Sequence, residues 1–263
     1  NINRLYKKLN DTKEDFKNIK FLDNHEKIIN FLESNKSSLQ TKKQYLASIV
    51  VALKAYKDKS KSIDEYSKKM IKLQTEYEEN RKDQKKTKRQ EENWISYKEL
   101  LNVYSYYKKK VKLQKLRSKT KLNEKEFKLL KKFIVLSLYL SNPKENPPRR
   151  GKDYSEMIIT KTEPKDDTRN YLYNKNFRNK TFIFNSYKTQ KTHGKQVIKV
   201  SATLRNDLNL WLKFNKSKFL LPNDMSNDSM TSNQLTKFLN AIFKKRLNKI
   251  ISINMIRSII ISE

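Results

Sequence analysis

Asn146-Pro-Pro-Arg-Arg-Gly-Lys-Asp-Tyr-Ser-Glu-Met157 is the stretch from which the rest of the chain is read. Pro147 and Pro148 fix their own φ angles and push the residues before them out of the helical region, so the apolar helix upstream must end here. Gly151 is one of only two glycines in 263 residues and marks a bend. Arg149 and Arg150 therefore leave a stiff corner at the start of a new helix, and either can present a planar fork to a phosphate. Asp153, three residues after Arg150, is placed to cap that helix or to orient the guanidinium. The plainer alternative is a solvated basic turn in a lysine-rich chain.

Upstream of the corner the pattern has a period of 3.6. His25–Ser34 carries Ile28, Ile29, Phe31 and Leu32, and Ser38 or Thr41 can cap a helix over Lys42–Lys57. Its stripe is Tyr45, Leu46, Ile49, Val50, Leu53 and Tyr56, which leaves Lys42, Lys43, Lys54 and Lys57 on or beside the open face. A third helix follows from Ile63 through Tyr66, Met70, Leu73 and Tyr77. Asn80–Glu92, NRKDQKKTKRQEE, has no apolar residue and reads as a linker, either extended or a solvated helix extension. It divides a helical domain, 1–80, from a second domain, 93–263, with 81–92 between them. Arg81, Lys85, Lys86, Lys88 and Arg89 in this run are candidate phosphate contacts, as are Lys42 and Lys43; an inert spacer is the alternative.

Trp94 and Ile95 restart the apolar content. A helix through Leu100, Leu101, Tyr104, Tyr107 and Val111 precedes one that Asn123 or Thr120 starts and that becomes apolar on nearly every side by Leu138. Beyond the corner the period falls toward 2. Residues 157–162, 181–189 and 195–201 read as strands, with Thr192-His193-Gly194 as the turn between the last two. Helices return at Thr203–Asn215, at Ser232–Leu247 and in a closing segment capped by Ser252. The expected fold is α+β, mainly helical with a small antiparallel sheet.

Arg257 is the only cation of that closing segment and sits among Ile253, Met255, Ile256, Ile259, Ile260 and Ile261. It needs an anionic partner, a carboxylate of the protein or a phosphate from outside. Lys188 lies in the predicted hairpin, with Lys191 and Lys195 as rivals.

Composition bounds the function. Lys and Arg number 60 against 28 Asp and Glu, a formal net charge of +32, so the chain attracts polyanions, nucleic acid first. The absence of cysteine excludes disulfides and thiolate metal sites, and His25 and His193 are too far apart in sequence to suggest a histidine cluster. No apolar run reaches the roughly 18 residues of a membrane span. These features predict a soluble, intracellular protein located where DNA is. RNA recognition by aromatic stacking is disfavoured because the aromatic residues fall in predicted core stripes.

An arginine corner with an acidic residue three positions on, a lysine-threonine hairpin and a late helix bearing an arginine together resemble the tyrosine recombinase (phage-type integrase) family. PPRRGKDY is similar to the form found in recombinases of large DNA viruses and their parasites. Thr41–Leu53 and Asn93-Trp94-Ile95 resemble that family's helical core-binding domain and the start of its catalytic domain. The resemblance implies a DNA strand transferase acting on duplex DNA through a phosphotyrosine intermediate, as a homo-oligomer, a tetramer on DNA, with no metal or small-molecule cofactor. Arg150 matches the first catalytic arginine with Arg149 beside it, Lys188 the hairpin lysine and Arg257 the second arginine. Asn254 stands where a histidine is usual, and asparagine cannot shuttle a proton. None of the 14 tyrosines occupies the nucleophile's place, and the sequence given stops six residues after Arg257. The expectation is a piece of a recombinase or a recombinase-derived protein that binds DNA without cutting it. Neither should form a covalent DNA adduct as it stands.

Overall fold

The structure, a computed structural model, describes residues 1–82, 86–226 and 228–263, with the backbone alone at 57 and 81. It divides into two compact units, Asn1–Thr87 and Lys88–Glu263, and the division falls inside the charged stretch.

Among its described residues the amino-terminal unit has helices and no strand. It comprises α1 (Ile2–Leu9), a 3-10 turn at Ile19–Asp23, α2 (His25–Ser34), α3 (Leu39–Leu53), a short turn at Lys57–Lys59 and α4 (Ser60–Lys82). Ser38 caps α3 by accepting from the Thr41 amide at 3.2 Å, and the helix ends four residues before the expected Lys57. Tyr45, Leu46, Ile49, Val50 and Leu53 bury the predicted stripe against α4, chiefly through Tyr66 and Leu73. The buried Tyr66 hydroxyl donates to the Leu22 carbonyl at 2.7 Å, so the core carries no stranded phenol there. Tyr77, expected in the apolar stripe, is exposed, because α4 extends past the helices that cover its earlier turns.

The second unit begins with α5 (Lys88–Asn93), α6 (Tyr97–Leu113) and α7 (Glu124–Leu140). Ser96 with Glu99 and Asn123 with Glu126 form capping boxes, each satisfying two amides that would otherwise be unpaired. The last eleven residues of α7, Leu130–Leu140, are buried apart from Lys132, which makes this helix the spine of the unit. After the corner come α8 (Gly151–Ser155), β1 (Ile158–Thr160), β2 (Tyr171–Asn174), β3 (Lys180–Phe184), α9 (Gln190–His193) and β4 (Gln196–Lys199). Three helices close it: α10 (Ala202–Phe214), α11 (Ser232–Leu247) and α12 (Ile253–Ile261).

The sheet corrects the sequence reading. Its order is β1-β2-β3-β4, and β1 runs parallel to β2 while the other two pairs are antiparallel, so it is mixed. β2 escapes the sequence reading because Tyr171-Leu172-Tyr173 is too short to show alternation. Residues 185–189 leave the sheet after Phe184, and the expected turn at 192–194 is instead the end of α9, closed by Gly194 at φ +65°. Trp211 is fully buried, stacks on Phe127 at 5.1 Å and donates to the Leu220 carbonyl at 2.8 Å, pinning α10 beneath α7. Among the described residues, no helix is long and apolar enough to cross a membrane.

Candidate functional site

The proline corner starts from a fixed point. The buried Asn146 side chain donates to the Lys199 carbonyl at 3.0 Å and accepts from the Ser201 amide at 2.8 Å, joining the corner to the end of β4 and the cap of α10. Arg150 then takes the N-cap position of α8 in an extended conformation, with no side-chain cap. The approach is tight at Gly151: a Cβ there would lie 2.7 Å from Ile253 Cδ1 and 2.8 Å from Ser232 Oγ, so those side-chain ends would have to shift. α8 thus sits directly on the first turns of α11 and α12. This brings the corner to Arg257, more than a hundred residues later in the chain.

The two corner arginines have different surroundings. Arg149 lies over the rings of Phe184, at 4.2 Å, and Tyr187, at 4.9 Å. Its Nε donates to Asp153 at 3.2 Å and its Nη1 to Gln196 at 2.6 Å, while its Nη2 is buried without a partner. Arg149 is therefore engaged by the protein itself. Asp153 pairs with the guanidinium of Arg149 rather than with that of Arg150, which corrects the expectation that it orients Arg150. The buried Asp153 carboxyl is held above its usual range by burial, against the opposing pull of Arg149.

Arg150 is half-buried and makes no side-chain hydrogen bond or ion pair among the described residues. Arg257 is half-buried too. Its Nε donates to the Pro148 carbonyl at 3.1 Å, and no carboxylate of the described residues pairs with it. Burial, followed by the neighbouring positive charge of Arg150, holds its guanidinium below the ordinary arginine value, with Asp153 acting in the opposite sense. Two guanidinium groups within electrostatic reach of each other, neither of them ion-paired, repel; one anion between them would relieve both.

The remaining predicted residues are spread more widely. Lys188 is on an exposed turn, four residues beyond the end of β3, and its side chain makes no hydrogen bond or ion pair among the described residues. The turn itself is anchored. Asn170 donates to the Asp153 carbonyl at 3.2 Å and the Ser186 carbonyl at 2.9 Å, and accepts from the amides of Asn185 and Ser186. Tyr187 donates to the Gly194 carbonyl at 2.7 Å while its ring supports Arg149. Lys191, in α9, is exposed, and Asn254 is exposed one turn before Arg257.

In the amino-terminal unit, Lys42 donates to the Glu33 carbonyl at 3.0 Å and Lys43 bonds to Gln74, so both are half-buried and tied to neighbouring helices. Lys88 and Arg89 are exposed on α5, and Lys86 lies between α4 and α5. The side chain of Arg81 and the whole of Lys85 lie outside the described residues.

Asn146, Asn170, Phe184 and Tyr187 hold the site together, and the sequence alone does not single them out. Asparagine recurs throughout this chain and the two aromatics read as ordinary strand residues, so nothing local marks them.

No protein-family model matches the sequence, and no curated protein or solved structure matches it.

Proposed function

We propose that this chain grips duplex DNA by a backbone phosphate and belongs to a tyrosine-recombinase-type protein of a mobile or viral element. One observation carries the reading: Arg257, in a helix with no other charged residue, is fixed to the Pro148 carbonyl of the corner within electrostatic reach of Arg150 and without a carboxylate partner. Such a pair suits the two non-bridging oxygens of a phosphodiester, where negative charge grows during strand transfer. In this reading Arg149 and Asp153 hold the corner in shape. In the complete reaction the phosphorus would gain a bond to a tyrosine oxygen that none of the residues here is matched to, and Lys188 would give its proton to the 5′ oxygen that leaves. Duplex DNA is the partner, and further copies of the chain assemble on it.

A second reading, a protein that grips DNA without cutting it, draws on the exposed Lys188 and on Asn254, which has no proton to transfer at neutral pH.

The test is to follow the arginine Nε–H resonances while adding a short DNA duplex. Arg150 and Arg257 should shift together and saturate together, and Arg150→Ala should abolish the response of Arg257. If the duplex moves only exposed lysine signals, the arginine pair does not hold phosphate and the proposal fails. Lys188 then separates the two readings: bound duplex should protect its amine from an amine-reactive reagent if the lysine serves the gripped phosphate, and should leave it reactive if the protein only holds DNA.

A further inference from the structure

The second unit carries another concentration of positive charge that shares no residue with the arginine corner. Three helices supply it. α6 contributes Tyr106 and, one turn on, Lys110; α7 contributes Lys128 and, one turn on, Lys132; the last turn of α11 contributes Lys245 and Arg246. The Arg246 guanidinium lies over the Tyr106 ring at 3.7 Å, and the Lys110 ammonium lies 5.0 Å from the same ring. Lys132 is half-buried among them. Burial, then Lys245, Lys128 and Lys110, push its ammonium below the ordinary lysine value.

Carboxylates offset only part of this charge. Glu124 pairs with Lys128, and Asp224 is bound by the buried Lys131. Among the described residues neither of them, nor any other carboxylate, pairs with Lys110, Lys132, Lys245 or Arg246. Cations gathered on one ring without an anion raise each other's energy, and burial of Lys132 adds to the cost. A polyanion laid across the face relieves both effects.

The place is distinct from the corner. α11 begins with Ser232 against Gly151, next to Arg150, and Arg246 is at its far end, roughly 20 Å away at 1.5 Å of rise per residue. The charges that act on Arg257 come from the corner and those that act on Lys132 come from this face.

We infer that the Tyr106 face is a second binding surface, and that it takes the phosphate backbone of nucleic acid. Cations one turn apart on adjacent helices suit a regularly repeating anion better than a single one. The Arg246 fork, held over the Tyr106 ring, is restrained where it can meet phosphate oxygens. The inference is independent of whether Arg150 and Arg257 hold a phosphate.

The test compares two triple variants of the full chain in duplex-DNA binding across a salt series: Lys110→Ala/Lys132→Ala/Arg246→Ala, and Lys161→Ala/Lys165→Ala/Lys175→Ala, which removes the same charge from positions elsewhere on the surface. The first should bind at least tenfold more weakly and flatten the log–log salt slope by about 2 to 3, at roughly 0.9 for each phosphate no longer neutralised. The second should change binding less than threefold. Equal losses would overturn the inference, since the face would then contribute only to overall charge. Should the first variant fold poorly, labelling of Lys132 in the unaltered protein by an amine-reactive reagent decides. DNA should protect Lys132 where poly-glutamate of equal charge does not. Absence of protection by DNA, or equal protection by poly-glutamate, would sink the proposal.

Discussion

Arg257 donates its Nε to the carbonyl of Pro148 at 3.1 Å, so the closing helix and the proline corner are held by a bond to backbone and not by an ion pair. The guanidinium is thereby oriented while its charge stays available. Phosphate that binds only the folded protein must stabilise it by mass action. At matched ionic strength, the melting temperature should therefore be higher in phosphate than in chloride. Arg257→Ala and Arg150→Ala should each remove more than half of that gain. Arg257→Lys should resemble Arg257→Ala, because a lysine cannot bond Pro148 and still offer a planar fork. A phosphate effect undiminished in all three would mean that the anion binds elsewhere.

Gly151 allows this meeting of helices. An alanine there displaces only the ends of two side chains, Ile253 Cδ1 and Ser232 Oγ, and should be tolerated. Gly151→Val should lose about 1–3 kcal/mol in urea denaturation through overpacking. It should also lose the phosphate gain in melting temperature, since α8 is forced away from α12. Valine with unchanged phosphate stabilisation would show that the close approach does not position the arginines.

Much of this is legible in the sequence because helices announce themselves over many residues. α2 and α11 lie where the apolar spacing puts them, and Ser38, Asn123 and Ser252 each cap the helix they precede. Strands of three to five residues give periodicity little room, so β2 goes unseen and a mixed sheet reads as antiparallel. At the site, Arg257 in a closing segment with no other cation calls for an anionic partner, while the corner offers Arg149 and Arg150 without choosing between them. The choice between Arg149 and Arg150 depends on contacts with Asp153, Gln196, Phe184 and Tyr187, most of them made at sequence distances no local pattern reports.

The buried acid of the corner gives a pH signature of known sign. The Asp153 carboxyl titrates above its usual value when folded, so between about pH 3.9 and that raised value the folded state binds more protons than the unfolded one. Its contribution is favourable at the acid end of the window and is lost as pH rises through the folded value. Asp207, buried and raised mainly by burial as well, acts in the same direction. Asp153→Asn should flatten the decline in unfolding free energy that sets in above about pH 3.9. Arg149→Gln, which leaves the carboxylate buried and unpaired, should steepen it and cost about 3–5 kcal/mol at neutral pH. A profile unaffected by Asp153→Asn would contradict the assignment.

Asn170 connects α8 to the turn that bears Lys188 through two donated and two accepted hydrogen bonds. Asn170→Ala leaves buried amides and carbonyls unpaired, at about 1–3 kcal/mol for each group that water does not reach. A total loss of about 2–4 kcal/mol is expected in urea denaturation. Amide exchange should accelerate at Asn185 and Ser186 well before it does in α7. Uniform acceleration through the whole unit would instead mean that Asn170 supports the core generally.

Lys131 is fully buried in α7, and its ammonium reaches the Pro222 carbonyl at 2.6 Å and Asp224 at 2.7 Å. A lysine so placed fastens the loop after Pro222 to the spine of the unit, and the half-exposed Asp224 keeps water near the charge. Lys131→Met retains the apolar stem and removes both bonds. It leaves the Pro222 carbonyl unpaired, which should cost about 1–3 kcal/mol. Lys131→Ala adds a cavity and should cost more, about 2–5 kcal/mol by analogy with other long buried side chains. The two variants compared in urea denaturation separate packing from bonding. If methionine matches the unaltered protein, the bonds to Pro222 and Asp224 contribute nothing net, and burial of the stem alone holds the loop.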